Sequence, residues 1–158
     1  MSRPGAGKGH PPLRRELAPC DWEGVEARAY KAAGEAAFRD VVRRVLFDAP
    51  WGMAAQVRCF TIAPGGFTSL ERHDHVHAVI VLEGRGRVLV GREVFDVRPR
   101  DLVAIPPGAW HQLRAAPGEP LSFLCIVDAE RDRPVAPTPA ELAELRRDPV
   151  IRAFLDGR

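Results

Sequence analysis

The amino-acid sequence predicts an all-β fold, an antiparallel sandwich or barrel, finished by a short C-terminal helix. Three observations carry the prediction. Glycine and proline punctuate the middle of the chain at short, regular intervals: Gly84 and Gly86, then Gly91, then Pro99, then Pro106, Pro107 and Gly108. Between these breaks lie strand-like runs of about four to eight residues, with no long helical pattern to separate them into α/β units. Helix signals gather only in the tail, where Thr138 offers an N-cap, Pro139 suits the first helical position and Glu141 completes a capping box.

Taken in order, residues 1–19 hold Pro4, Pro11, Pro12 and Pro19 with three glycines and little apolar content, and are expected to be a flexible arm. His10 within it reads as a bystander. From Ala27 to Ala37 the composition is alanine-rich but broken by Gly34, so only the run Val41–Phe47 is assigned, as a strand. Asp48–Gly52 makes a turn, Met53–Ile62 reads as the next strand, and Pro64, Gly65 and Gly66 are expected to end it. Beyond the histidine-bearing stretch at residues 71–84, the apolar runs are Val88–Val90, Val94–Val97, Leu102–Ile105 and Leu121–Val127. After the capped tail helix, Asp148 and Pro149 restart a helical turn through Ile151, Phe154 and Leu155, side chains expected to pack on the barrel or on a second subunit.

At 158 residues and 46% hydrophobic content the chain suits one domain with a single core. A formal charge of +2, with arginines scattered along the sequence, gives no basic block for nucleic acid. Cys20, Cys59 and Cys125 are odd in number and form no CxxC pair, which fits a reducing compartment rather than a disulfide framework. No window approaches the apolar length of a membrane span. The expectation is a cytoplasmic protein with no nucleic-acid or membrane partner.

Chemistry is expected at residues 71–84, where three of the five histidines fall at alternate positions. In a strand, Glu71, His73, His75 and His77 share one face, with neighbours about 6.6 Å apart. That spacing lets two ligands converge on a cation. A straight triplet does not converge, so a metal requires a bend or bulge here and a further ligand, for which His111 is the candidate. A row of imidazoles can also be a solvated polar face, but three beside a carboxylate favour metal binding.

With these positions in place, residues 65–115 resemble the two-motif core of the cupin superfamily. Its first motif, Gly-x5-His-x-His-x3/4-Glu-x6-Gly, aligns Gly65 and Gly84 with the glycines, Glu71 and His73 with the two histidines, and His77 with the glutamate. The ligand inventory is kept and rearranged. In the second motif Pro106, Gly108 and His111 match, whereas Arg100 stands for a glycine and Ala115 for an asparagine. The resemblance implies a single-domain double-stranded β-helix, or jelly-roll barrel, over residues 20–135, followed by a helical tail at 136–158, commonly as a homodimer.

It also implies one divalent transition metal per chain (Fe, Mn, Ni, Cu or Zn) held by Glu71, His73, His77 and His111. His75 falls at a position that usually does not ligate and is a supporting residue or a substitute for Glu71. The leading functional expectation is a mononuclear metal-dependent oxygenase of dioxygenase type acting on a small organic substrate. The alternatives are a lyase or isomerase in which Glu71 or Tyr30 moves protons, and a non-catalytic module binding a metal or small ligand. Trp110 and Phe123 are candidates for the substrate pocket. Arg58 is a third, able to hold a carboxylate, although the apolar alternation of Met53, Ala55, Val57 and Cys59 turns it outward.

Overall fold

The computed structural model describes residues 11–32 and 36–158; the first part of the expected arm, with His10, and Gly34 of the alanine-rich stretch lie outside these. Among the described residues eleven strands and two α-helices follow one another, with one turn of 3-10 helix at Ala49–Trp51. They are β1 (Glu16–Ala18), β2 (Asp21–Trp22), β3 (Arg28–Ala29), β4 (Arg39–Phe47), β5 (Ala55–Phe67), β6 (His77–Gly84), β7 (Gly86–Val90), β8 (Glu93–Val97), β9 (Leu102–Ile105), β10 (His111–Ala115), β11 (Leu121–Asp128), α1 (Pro139–Leu145) and α2 (Pro149–Leu155). The expected arm is structured from Glu16 onward, where β1 pairs with β2.

All other strands belong to one nine-stranded antiparallel sheet with the path β8-β7-β10-β5-β11-β6-β9, extended by β4 and β3 beside β5. It curls round a single core. Val41, Ile62, Val81, Val88, Val97, Ile105, Leu113 and Leu121, from eight different strands, meet in one buried cluster, as the inner faces of a barrel must. Outside it, Leu89 packs with Leu145, Ile151 and Phe154, so the tail helices cover one outer face of the barrel. Cys20, Leu46 and Cys59, flanked by Trp22 and Leu124, cover another beneath the N-terminal hairpin.

The Pro64–Gly66 break does not end its strand: β5 runs on to Phe67. Between the pairs Val41↔Ile62 and Arg39↔Phe67 the register shifts, so the three residues form a bulge instead of a turn. Gly66 is required there, since a Cβ would stand 2.6 Å from the Arg39 carbonyl oxygen. The bulge redirects β5, which pairs with β11 and β4 before it and reaches β10 after it, through Arg114↔Phe67. One strand thus joins the two halves of the barrel.

Candidate metal centre

Beyond Phe67 the chain continues alongside β10 without being a regular strand. The Thr68 amide donates to the Leu113 carbonyl at 2.9 Å, Glu71 and His111 exchange backbone bonds at 3.2 and 2.9 Å, and the Gly108 amide reaches the His73 carbonyl at 2.8 Å. Phe67 to Glu71 is four residues while the facing Arg114 to His111 is three, so one residue is bulged out. The expectation of a continuous strand carrying Glu71, His73, His75 and His77 on one face therefore fails, because β6 begins only at His77. The chain bends between His73 and His77 and brings the rings together: His73 and His75 stack at 3.6 Å, and His73 lies 4.3 Å from His77 and 4.7 Å from His111, centroid to centroid.

One nitrogen from each of His73, His77 and His111 falls within 4.8 Å of the others. The two rings that the loop and β10 contribute are oriented by the backbone. His73 Nδ1 bonds the His75 carbonyl at 2.8 Å and His111 Nδ1 bonds the Ala109 carbonyl at 3.0 Å, so each Nδ1 carries the hydrogen and each Nε2 keeps its lone pair. Both Nε2 atoms are buried without a hydrogen-bond partner. Two orphaned, correctly tautomerised donors beside a third imidazole are what a divalent transition ion binds, and the residues fit such an ion. Burial and the neighbouring rings hold His73 down to about 4 and push His77 far below its ordinary range, while burial lowers His111. The rings are therefore neutral at pH 7, the form that ligates.

Glu71 sits beside this set. Its Oε2 accepts from Ser69 Oγ at 2.6 Å and pairs with Lys31 Nζ, while Oε1 lies 3.9 Å from His111 Nε2. Burial alone would raise its carboxyl; Lys31 and Ser69 outweigh that and hold it below the usual range. Tyr30 completes the chain, donating to Ser69 Oγ at 2.9 Å, its phenol raised by burial and by the Glu71 charge. His75 is turned to other partners, with Nδ1 on Asp132 at 2.7 Å and Nε2 on His77 Nε2 at 3.1 Å. Lys31, Ser69 and Asp132 were not singled out from the sequence. Asp132, 57 residues from His75, leaves no local signal; Lys31 is at least unusual as one of two lysines in the chain.

Behind the histidines opens a cavity of about 790 Å³, lined by Tyr30, Lys31, Glu71, His77 and His111 among others. Phe123 lines it and stacks on Phe60 at 5.4 Å, so it is pocket wall and core at once. Trp110 is outside the described lining: alternation along the chain from His111 sends it to the outer face, against the Leu89 cluster and beneath the Arg72 guanidinium at 4.5 Å. Arg58 does the reverse of the outward expectation and lines the cavity, 8% exposed. Alternation misleads there because both faces of β5 are covered, Cys59 being as buried as Arg58.

Residues 58–127 match the family model described as the cupin domain. A curated relative from Rhodospirillum rubrum, 1-methylthio-D-xylulose 5-phosphate methylsulfurylase, is 53% identical over 136 residues, 86% of each chain. Among solved structures, a cupin 2 conserved barrel domain protein from Rhodopseudomonas palustris superposes with a TM-score of 0.85 at 50% identity, covering 90% of this chain and 97% of that one. A cupin-2 domain from Rhodospirillum rubrum gives 0.82 at 49% identity, covering 94% and 97%. The three free cysteines are buried, and no helix among the described residues is long and apolar enough to cross a membrane.

Proposed function

The chain belongs to the cupin family, and from that premise we propose that it is a metal-dependent enzyme cleaving the C1–S bond of a 1-methylthio ketose 5-phosphate. The observation that carries the chemistry is the pair of buried, partnerless Nε2 atoms of His73 and His111 next to His77. The substrate class comes from the 53% identical relative. We assign His73, His77 and His111 as the ligands of one divalent ion, which when bound supplies a Lewis acid for a carbonyl oxygen.

In a 2-ketose, C1 is adjacent to the carbonyl, so the electron pair of the C1–S bond can stay on carbon and delocalise onto the C2 oxygen. The methylthio group then needs an acceptor, and a thiol is the chemical class that suits. Its sulfur bonds to the methylthio sulfur as C1–S breaks, giving an unsymmetrical disulfide; C1 takes a proton and becomes a methyl group. Glu71, ionised, accepts the thiol proton, and Tyr30, which keeps its own, donates to C1. The Tyr30–Ser69–Glu71 hydrogen-bond chain returns the proton to Tyr30. In this reading Glu71 is a base and not the fourth ligand expected from the sequence, and His75 orients His77.

The test is to incubate the metal-loaded protein with 1-methylthio-D-xylulose 5-phosphate and a thiol, with and without dioxygen, and to follow both products by mass spectrometry. Equal formation of the mixed disulfide and the 1-deoxy ketose phosphate in either atmosphere is expected. The oxygenase expectation, which open positions on a three-imidazole site also admit, requires oxygen consumption instead, and a binding module would saturate without turnover. The reading keeps the cytoplasmic homodimer expected from the sequence, which light scattering and fractionation would check.

A further inference from the structure

The cavity holds a second group of charges that the histidine chemistry does not use. Arg43, Arg58, Arg131, Arg133 and Lys31 give its described lining five cations against one carboxylate, Glu71. Lys31 is answered by Glu71. The four arginines make no ion pair with any described carboxylate.

Arg58 is 8% exposed, and its Nη2 donates only to Cys125 Sγ, at 3.2 Å, a weak acceptor. Arg58 Nε and Arg43 Nε are buried with no partner. Arg131, on the exposed rim of the cavity, donates to the Asp128 carbonyl at 2.9 Å and to Gln56 Oε1 at 3.0 Å, both neutral oxygens. Partial desolvation at the cavity wall, with repulsion from neighbouring arginines, lowers the Arg43 and Arg131 guanidiniums from their ordinary value. Arg58, buried without a counter-charge, is costly to the fold, and the half-buried Arg43 and the exposed Arg131 beside it add like charge where an ion-pair network would place a carboxylate.

The sheet sets this group at a fixed distance from the histidines. Arg58 faces Cys125 across β5 and β11, and Cys125 faces Val79 across β11 and β6, two residues along from His77. Two interstrand steps of about 4.8 Å separate the Arg58 and Val79 backbones. Arg43 stands opposite Phe60, one inward position along from Arg58.

We propose that Arg43, Arg58 and Arg131 form a phosphate subsite, binding the dianion of a phosphate monoester whose oxygenated carbon end reaches the His73–His77–His111 cluster. A single carboxylate would need one guanidinium fork; three forks match the three terminal oxygens of a phosphate monoester. The subsite deepens the functional reading above and rests on it for the sugar end of the ligand, while the charge imbalance stands on its own.

The experiment measures binding of D-xylulose 5-phosphate and of D-xylulose to the metal-loaded full chain by calorimetry. The variants are Arg43→Gln, Arg58→Lys, Arg58→Gln and, as a control on the outer surface, Arg92→Gln. The phosphate ester is expected to bind at least about tenfold tighter than the free sugar, and Arg43→Gln and Arg58→Lys to remove most of that preference while leaving D-xylulose affinity and metal content unchanged. Arg92→Gln should match the unmodified protein. Should Arg58→Gln not fold, Arg43→Gln, at a half-buried position, and the charge-conserving Arg58→Lys carry the test. No preference for the ester, or a preference untouched in both of those variants, would overturn the subsite. Absence of methylthio release together with an arginine-dependent preference defeats the functional reading and leaves the subsite standing.

Discussion

At the scale of single residues, the centre depends on nitrogens whose hydrogen bonds already decide what they can do. His73 and His111 have Nδ1 committed to backbone carbonyls and Nε2 free, so each brings a lone pair that nothing else satisfies. Replacing His77 or His111 by Ala is expected to abolish stoichiometric metal in the purified protein, whereas His75→Ala, which removes a ring bonded to Asp132 and His77, should leave most of it; elemental analysis reads the difference. Full retention of metal by His77→Ala would remove it from the ligand set. Backbone strain gives a second prediction. Arg100 occupies the position of the family's motif glycine and adopts its left-handed conformation, φ 75°, in the turn where the Arg100 amide donates to the Val81 carbonyl and the Asp101 carbonyl accepts from the Val81 amide. Arg100→Gly is therefore expected to stabilise the fold by about 1 kcal/mol, read from the urea midpoint. The inverse change is severe at Gly84, where a Cβ would stand 1.7 Å from the Pro120 carbonyl oxygen at φ 78°: Gly84→Ala should cost at least about 2 kcal/mol.

At the scale of elements, local chemistry explains which parts of the sequence were readable. Leu102–Ile105 is a strand as its flanking turns predict, and Thr138 and Glu141 form the expected reciprocal cap, with the Glu141 amide on Thr138 Oγ1 at 3.2 Å and the Thr138 amide on Glu141 Oε2 at 2.9 Å. These signals lie within a few residues of one another. The misread features are those whose cause is distant. Pro64–Gly66 is a bulge because Arg39 and Arg114 stand where β5 must turn; Arg58 points inward because the N-terminal hairpin covers the other face; and His73 meets His111 because β10 zips along an irregular segment. Even so, His73, His77 and His111 could be named from spacing and motif. The tail helices supply the test at this scale. Each is only seven residues long, too short to persist alone, so both depend on caps and on burial against Leu89. Phe154, fully buried, should cost about 3 to 5 kcal/mol on change to Ala, and Thr138→Ala about 1 kcal/mol, both by chemical denaturation. Equal small losses in the two variants would mean that the helices contribute little to the barrel.

At the scale of the whole molecule, the proposed ligands come from three places that only the folded barrel brings together: His77 from the first residue of β6, His111 from the first of β10, and His73 from the bulged connection between β5 and β6. In the unfolded chain His111 is separated from the other two by more than the length of β6 to β9, so an ion that binds all three favours the native state alone. Such a ligand stabilises by RT ln(1 + [L]/Kd), about 2.7 kcal/mol when free metal is a hundred times Kd. Melting temperature should therefore fall after dialysis against a chelator and rise on readdition, in proportion to the logarithm of free metal. His111→Ala should melt at one temperature regardless of metal. Two neighbouring donors from a local segment cannot give this pattern, because they would capture the ion equally in the unfolded chain; a metal-dependent shift that survives His111→Ala would therefore mean that the ion is held in the native state by groups other than His111, and would remove His111 from the ligand set.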